Sequence, residues 1–319
     1  MPRPRNFFMN FTLLLIFLLA LSVLRLVHWK FELLIKKTRH FEPADDGFRR
    51  FTTPRVVCWI PAQAADLEEM GETIRATWGK KCDKLIFMSS VNNERFGAVK
   101  IDVPYDNSIF LTQKCVKSLL YLYRHHLDEG DWFLKADIDT YFIVENLHYL
   151  LSFYSPDVPW MTGHHLRVPK AGMGKGYFSG GAGYVMSRAA LEKFVEVGLA
   201  GGKCRFDDKL FIQEDLYLGL CMRNISVKFA SSYDVTNRET FHTMPFVDEF
   251  RGFKSSWLDR YHSHKRDVKC CSPYSISFHR LKTPTQMLEM HAMLYFLNVW
   301  GGGETRSWFR PREMDIDDI

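Results

Sequence analysis

The stretch DWFLKADIDTYFIVENL, residues 131–147, decides the fold. It contains an apolar run, continues with two aspartates, and then returns to mostly apolar residues. The run WFLKA (132–136) has the length and composition of a buried strand. Asp137 and Asp139 follow it directly, one residue apart. The stretch therefore predicts a buried strand that ends in a turn bearing two acidic side chains.

Strand-like and helix-like segments alternate on the N-terminal side of this stretch. RVVCWI (55–60) and KLIFMSS (84–90) are typical of buried strands, and helical patterns cover residues 65–79 and 112–127. Such alternation favours an α/β fold with a mostly parallel sheet covered by helices. Ligands of these sheets bind beyond the carboxyl ends of the strands, where the two aspartates are expected.

Two carboxylates on one turn can bind a hard divalent cation that keeps open positions for diphosphate oxygens. Such a cation would neutralise the charge that builds on a departing nucleoside diphosphate. The alternative is structural, with Asp139 or Thr140 capping a helix formed by TYFIVENL. Lys135, at the strand end, either offsets phosphate charge or is solvated.

The glycine-rich segment SGGAGY (179–184) offers backbone without bulky side chains. A sugar could approach it closely and its amides could point at the sugar, which makes Gly180, Gly181 and Tyr184 candidate donor-binding residues. The alternative is a flexible hinge.

Residues 7–24 carry no charge and are long enough to cross a hydrocarbon core of about 30 Å as a helix. Arg3 and Arg5 precede them and no small-residue cleavage site follows, so we expect an uncleaved signal anchor. The predicted order is a cytoplasmic tail at 1–6, a transmembrane helix at 7–24, a charged stem at 25–53, a lumenal domain at 54–312 and a disordered acidic tail at 313–319.

All seven cysteines follow the predicted anchor, which is typical of a body in an oxidising lumen. Asn224 begins an Asn-Ile-Ser acceptor for N-glycosylation. Both features predict a single-pass type II membrane protein. The formal net charge of +5 comes without a basic run, which argues against nucleic acid as a partner.

Six longer motifs carry a family resemblance, namely RATWGKKCDKLIFMSS, KADIDTYFIVENL, GYFSGGAGYVMS, QEDLYLGLCM, ETFHTMPF and CCSPYSISFH. In order and spacing, over about residues 54–300, the chain resembles the core 1 β1,3-galactosyltransferases, which are Fringe-like inverting glycosyltransferases. The resemblance implies a GT-A-type (Rossmann-like) fold in the Golgi membrane. It also implies Mn²⁺-dependent transfer of galactose from UDP-galactose to N-acetylgalactosamine (GalNAc) on Ser or Thr of glycoproteins, in core 1 O-glycan synthesis.

The resemblance also implies roles for single residues. Asp139 would bind the metal, Asp137 the ribose or the metal's water shell, and His242 would be a second metal ligand. The family usually has three acidic residues in the aspartate motif, whereas Ile138 stands in the middle here.

Inverting transfer needs a base on the face of the sugar opposite the leaving diphosphate. The candidate is Asp215, and Glu214 is the alternative within the same pair. Both acids could instead simply favour a helix N-terminus.

The remaining implied contacts concern the two substrates. Arg75, Thr77 and Trp78 resemble the family's first strand–helix unit, which faces the uracil and diphosphate, although Trp78 could belong only to the core. Trp257 and Tyr261 are candidate stacking platforms for the acceptor sugar. The segment 253–270 otherwise departs from the family's aromatic-rich pattern, so the acceptor could differ from plain GalNAc on Ser or Thr.

The family pattern implies three disulfides and leaves Cys115 unpaired, either buried or linking two chains in a homodimer. The implied pairs are Cys58 with Cys82, Cys204 with Cys221, and Cys270 with Cys271.

Two other functions stay open at this point. A catalytically inactive, chaperone-like paralogue of the core 1 enzyme would lack the metal aspartates, which this chain has. A Fringe-like transferase could use a different UDP-sugar or acceptor.

Overall fold

A computed structural model describes residues 53–167, 176–205, 213–252 and 270–297, together with Arg25 and Tyr261. The chain divides into two compact units, Met1–Phe51 and Thr52–Ile319. The predicted anchor and acidic tail, almost all of the predicted stem, and Trp257 lie outside the described residues. Among the residues that are described, no helix combines the length and apolar character that a membrane crossing needs.

The described strands are β1 (Val56–Pro61), β2 (Lys84–Ser89), β3 (Ala98–Lys100), β4 (Trp132–Lys135), β5 (Tyr141–Phe142), β6 (Trp160–Gly163), β7 (His165–Leu166), β8 (Tyr177–Phe178), β9 (Tyr184–Ser187), β10 (Lys228–Phe229), β11 (Phe241–His242) and β12 (Ser277–Phe278). The described α-helices are α1 (Glu72–Ala76), α2 (Leu111–His126), α3 (Val144–Leu151), α4 (Arg188–Lys193), α5 (Glu214–Asn224), α6 (Phe246–Phe250) and α7 (Pro284–Tyr295).

Several helices begin at residues whose side chains satisfy the first backbone amides. The Ser187 hydroxyl accepts a hydrogen bond from the Ala190 amide at the start of α4. The Thr283 hydroxyl accepts a hydrogen bond from the Gln286 amide at the start of α7. Pro284 occupies the first position of this helix, where a backbone N–H would have no partner within the helix. These caps fix where each helix leaves the preceding strand or loop.

Seven strands form the main sheet in the order β10-β6-β9-β4-β1-β2-β3. β1 pairs in parallel with both β2 and β4, and β6 pairs in parallel with β10. β9 runs antiparallel to both of its neighbours, β4 and β6. The predicted α/β fold with a mostly parallel sheet is confirmed, while the reversed β9 was not predicted.

The side chains of the central strands alternate between two cores, one on each face of the sheet. Val56, Cys58 and Ile60 contribute to a core with residues of α1, α3 and α7. Val57 and Trp59 contribute to a second core with residues of α2, α4 and α5. Helices therefore cover both faces, and the strand ends remain the places where a ligand can reach the sheet.

A second, three-stranded sheet has the order β11-β12-β5. β12 pairs in parallel with β11 and antiparallel with β5, so that Phe278 lies opposite Tyr141. Phe142, Phe241 and Phe278 belong to the same core as α1 and α3. This small sheet brings a segment near residue 279 to the turn that follows β4.

The three implied disulfides are confirmed: Cys58–Cys82, Cys204–Cys221 and Cys270–Cys271. Cys115 has no disulfide partner and is buried in α2. Burial in an apolar core raises the pKa of its thiol well above the ordinary value. The buried alternative for this cysteine is therefore the one that the structure shows.

Candidate active site

The turn after β4 places both aspartates at the carboxyl edge of the main sheet. The Ala136 amide donates to the Trp59 carbonyl at 3.1 Å, and the Thr140 amide then donates back to the Asp137 carbonyl at 3.1 Å. α3 begins only at Val144, with β5 in between. The alternative in which Asp139 or Thr140 caps a helix is therefore wrong, and the two carboxylates border an open cleft.

The imidazole beside the two aspartates belongs to His279. Its Nε2 lies 3.1 Å from Asp139 Oδ1 and 3.8 Å from Asp137 Oδ2. Candidate ligand atoms of the three residues all lie within 4.8 Å of one another. Two carboxylates and one imidazole form a donor set that suits Mn²⁺ and similar divalent ions, so these residues fit the implied metal.

His242, the implied second ligand, lies elsewhere. It is buried in β11, its ring stacks on Phe278 at 4.6 Å, and its Nε2 lies 3.0 Å from the Ser275 hydroxyl. The other potential ligands near it are Cys270 and Cys271, whose sulfurs are joined to each other. The structure thus assigns the imidazole at the aspartates to His279, one residue beyond β12, rather than to His242.

The electrostatics of the aspartate turn favour an ionised Asp139. Burial by itself raises the pKa of this carboxyl, but the hydrogen bond and charge of His279 outweigh it. The pKa of Asp139 consequently lies below its ordinary value. An anionic carboxylate is the form that a divalent cation requires.

Lys135 is completely buried and binds three partners. Its Nζ donates to Asp137 Oδ1 at 2.6 Å and to the Gly180 carbonyl at 3.0 Å, and it lies 3.0 Å from Glu214 Oε1. Burial favours the neutral amine, yet the charges of Asp137 and Glu214 hold the lysine pKa above its ordinary value. All three ammonium protons are occupied. Lys135 is therefore neither solvated nor available to offset phosphate charge.

The acidic pair at the start of α5 divides into an inner and an outer carboxylate. Glu214 is buried, and besides Lys135 it accepts a hydrogen bond from the Tyr184 hydroxyl at 3.2 Å. Burial raises the pKa of Glu214 to about 7. Asp215 is only half-buried, and its Oδ2 accepts from the Gly180 amide at 2.9 Å. Of the two carboxylates, that of Asp215 is the more exposed to solvent.

The segment 179–184 lies at the same sheet edge because β9 starts there, with Tyr184 paired to Lys135. The Gly180 amide already donates to Asp215, and the Tyr184 ring is fully buried with its hydroxyl on Glu214. Neither group is therefore directed at a sugar, as the donor-binding prediction required. Gly181 instead lies against His279. The glycines leave room for neighbouring side chains, since a Cβ on Gly180 would meet Glu214 and one on Gly181 would meet His279.

The cleft beside the aspartates has a volume of about 400 Å³ and is an open groove. Its lining comes from the end of β1, the segment before α2, the aspartate turn and Lys282. Lys114 anchors one wall, since its Nζ donates to the Ala62 carbonyl at 2.7 Å and to Asp106 Oδ1 at 2.5 Å. The sequence had not indicated Asp106 or Lys114 as site residues. The local sequence feature that could have indicated them is Lys114, a charged residue on the apolar side of the predicted helix.

The family model described as Fringe-like matches residues 72–297, which contain the aspartate turn, α5 and His279. This chain belongs to the Fringe-like family. Glycoprotein-N-acetylgalactosamine 3-beta-galactosyltransferase 1 of Xenopus laevis is 35% identical over 253 residues, which make up 77% of this chain and 68% of the frog protein. The predicted family resemblance is thereby confirmed.

More distant similarities exist for this Fringe-like protein. Beta-1,3-glucosyltransferase of Homo sapiens is 24% identical over 195 residues, or 60% of this chain and 36% of the human protein. The crystal structure of galactosyltransferase LgtC with donor and acceptor sugar analogs covers 76% of this chain and 97% of its own, at 13% identity and a TM-score of 0.44.

The remaining predicted residues of this Fringe-like protein lie at different distances from the cleft. Thr77 is buried and its hydroxyl donates to the Thr73 carbonyl at 2.7 Å, while Trp78 packs in the core on Phe142. Arg75 is exposed on α1. None of these lines the cleft, so the implied contact with uracil and diphosphate is not seen.

Two further predicted residues are not among those that line the cleft. Tyr261 packs on a small cluster around Leu166 and Met244. Asn224 is exposed as the last residue of α5, where its side-chain amide donates to the Lys203 carbonyl. The glycosylation prediction requires such an exposed position.

The close contact between Gly181 and His279 gives a first testable prediction. A methyl group on Gly181 would lie 2.2 Å from Cε1 of His279. We expect Gly181→Ala to displace the imidazole and to weaken Mn²⁺ binding at least about tenfold, as a misplaced ligand shell does. Isothermal titration with Mn²⁺ measures the effect.

Gly71→Ala is the matched control, because a methyl group there meets only ordinary contacts at 3.6 Å and beyond. We expect it to bind Mn²⁺ like the wild type. Wild-type affinity in the Gly181→Ala protein would show that His279 does not contribute to the metal site.

Proposed function

We propose that this protein transfers galactose from UDP-galactose in β1,3 linkage to GalNAc on Ser or Thr of glycoproteins, with inversion at the transferred sugar. The observation that carries the proposal is the meeting of Asp137, Asp139 and His279 with Asp215 at one sheet edge. Membership of the Fringe-like family and the 35% identity to the frog galactosyltransferase support the choice of reaction.

Asp137, Asp139 and His279 would hold a divalent metal, for which Mn²⁺ is our proposal because the set mixes carboxylates with an imidazole. When bound, the metal would supply positive charge for the leaving nucleoside diphosphate. Asp137 and Asp139 line the cleft, which supports a donor site along the end of β1 and the segment before α2. A cleft of about 400 Å³ falls within the usual range for small-molecule sites.

Asp215 is proposed as the general base. The amides of Gly180 and Leu216 donate to its two oxygens at 2.9 and 2.8 Å, which fixes the carboxylate in one orientation. Burial raises its pKa, which increases its affinity for a proton. In the reaction the acceptor oxygen bonds to the anomeric carbon while the bond from that carbon to the diphosphate breaks. The proton of the acceptor hydroxyl passes to Asp215.

Glu214 has a supporting role in this proposal. Its carboxylate is buried between Lys135 and Tyr184, so an acceptor hydroxyl has no approach to it. It holds the first turn of α5 against the aspartate turn. The alternative in which Glu214 is the base is therefore less favoured.

We also propose that the protein resides in the Golgi membrane as a single-pass type II protein with its body in the lumen. The three disulfides among the described residues and the exposed Asn224 support an oxidising compartment. The uncharged segment at residues 7–24 supports the anchor.

The test of the function is a competition assay on the purified full-length protein. A peptide bearing GalNAc on Thr is incubated with Mn²⁺ and equal concentrations of UDP-galactose, UDP-glucose and UDP-N-acetylglucosamine. We expect a galactosylated product, β1,3-linked by NMR, and none after chelation of the metal. Preferential transfer of another sugar would replace the galactosyl assignment, and the absence of any transfer would favour the chaperone-like alternative.

A further inference from the structure

Tyr177 lies on the face of α5 that carries the proposed base. A methyl group on Gly219 would lie 2.4 Å from Cβ of Tyr177, so this tyrosine rests directly on the glycine. Gly219 follows Asp215 by four residues, which places both on the same face of the helix. Tyr177 therefore packs on the helix face that carries Asp215, close enough for the charge of Asp215 to act on its phenol.

Tyr177 is an amphipathic side chain at the edge of a small apolar cluster. The side chain is half-buried and packs, together with Tyr261, on Leu166 and Met244. Burial, followed by the nearby negative charge of Asp215, raises the pKa of the phenol, which stays protonated as a hydrogen-bond donor. None of the described residues hydrogen-bonds to this hydroxyl. Among the described residues, the hydroxyl therefore has no partner that would compete with a ligand.

The acceptor must present one hydroxyl to Asp215 and needs a surface that orients the rest of its ring. A hexopyranose has an apolar face of C–H groups that packs on aromatic rings, and polar groups at its edge that pair with donors. A half-buried tyrosine on the same helix face as the base, with a hydroxyl that no described residue engages, can meet both needs. Tyr261, from another segment, packs on the same small cluster as Tyr177.

We propose that Tyr177 is an acceptor-binding residue whose ring packs on the acceptor GalNAc and whose hydroxyl donates a hydrogen bond to it, while Asp215 receives the proton. This inference rests on the proposed function. It adds to that function a contact which orients the acceptor hydroxyl toward its base.

The experiment measures four quantities on the full-length protein: KM for a GalNAc-peptide, kcat, KM for UDP-galactose, and the hydrolysis of UDP-galactose without acceptor. Tyr177→Leu keeps apolar packing on Gly219 but removes the flat ring, and Tyr177→Phe removes only the hydroxyl. Tyr149→Ala is the control, because Tyr149 is 44% exposed on α3 and does not line the cleft.

We expect acceptor KM to rise about tenfold in Tyr177→Leu and about threefold in Tyr177→Phe, as the loss of an aromatic contact and of one neutral hydrogen bond predicts. KM for UDP-galactose and hydrolysis without acceptor should stay within about twofold of wild type, as should every value for Tyr149→Ala. This split distinguishes acceptor binding from a purely structural role.

Unchanged acceptor KM in both Tyr177 variants would overturn the inference, and so would a parallel loss of donor and acceptor affinity. If Tyr177→Leu does not fold, the threefold effect of Tyr177→Phe decides alone. Wild-type protein that transfers no sugar to the GalNAc-peptide would instead reject the proposed function, which the inference presupposes. The two failures are therefore distinguishable.

Discussion

Replacing Asp215 with asparagine is expected to lower kcat about 10²- to 10⁴-fold, the contribution of a well-placed general base. Asparagine has nearly the same shape and retains an oxygen that can accept from the Gly180 or Leu216 amide. It cannot take up the proton of the acceptor hydroxyl. The affinities for Mn²⁺ and UDP-galactose should stay near wild type, because Asp215 is not among the three candidate ligands.

Single-turnover transfer to a GalNAc-peptide measures this loss apart from product release. Asp128→Asn is the control, since Asp128 is exposed at the opposite end of β4, and it should retain full activity. Transfer by Asp215→Asn within tenfold of wild type would exclude Asp215 as the base.

Replacing Asp139 with asparagine is expected to lower kcat/KM at least about 100-fold, because the charge on the leaving diphosphate would lose its metal counterpart. The amide has no negative charge to offer a cation, and the contact of the Asp139 carboxylate with the His279 imidazole at 3.1 Å is lost as well. Mn²⁺ affinity should fall together with activity. Titration of Mn²⁺ followed by electron paramagnetic resonance measures the first, and the transfer assay measures the second.

A second Asp-x-Asp motif in the chain provides a control for the Asp139 variant. Asp315 and Asp317, outside the described residues, repeat the same Asp-x-Asp pattern without a buried strand before it. We expect the double variant Asp315→Asn/Asp317→Asn to keep wild-type Mn²⁺ binding and transfer. Normal Mn²⁺ binding by Asp139→Asn would refute the metal site at this turn.

Much of the main sheet could be predicted because its parallel strands are buried on both faces and form continuous apolar runs. The predicted strand at 84–90 is β2, and the predicted helix at 112–127 is α2. The direction of β9 could not be predicted, because the buried residues YVMS fit a parallel strand and an antiparallel strand equally well. The predicted helix at 65–79 is interrupted, with α1 as its one regular α-helical piece.

The aspartate turn was evident from the sequence because both ligands are local. The choice of histidine was not. His242 follows Phe241 and ends a two-residue strand, and His279 directly follows Phe278, which ends another, so the local patterns are almost the same. The pairing of β12 with β5 alone brings His279 to Asp139, and this contact joins segments distant in the chain.

The different surroundings of Glu214 and Asp215 likewise could not be predicted from the sequence. Two adjacent acidic residues at the start of a helix look equivalent in the sequence. Only the structure shows that Lys135 and Tyr184 bind the carboxylate of Glu214. The same holds for Tyr177, whose position on Gly219 depends on the packing of β8 against α5.

One buried ammonium group, that of Lys135, joins the aspartate turn, the glycine segment and α5. These three parts cannot separate without leaving charges unpaired inside the protein, so they form one stiff wall. The proposed metal-binding aspartates and the proposed base therefore keep a fixed spacing, and any opening of the cleft would have to leave that spacing unchanged.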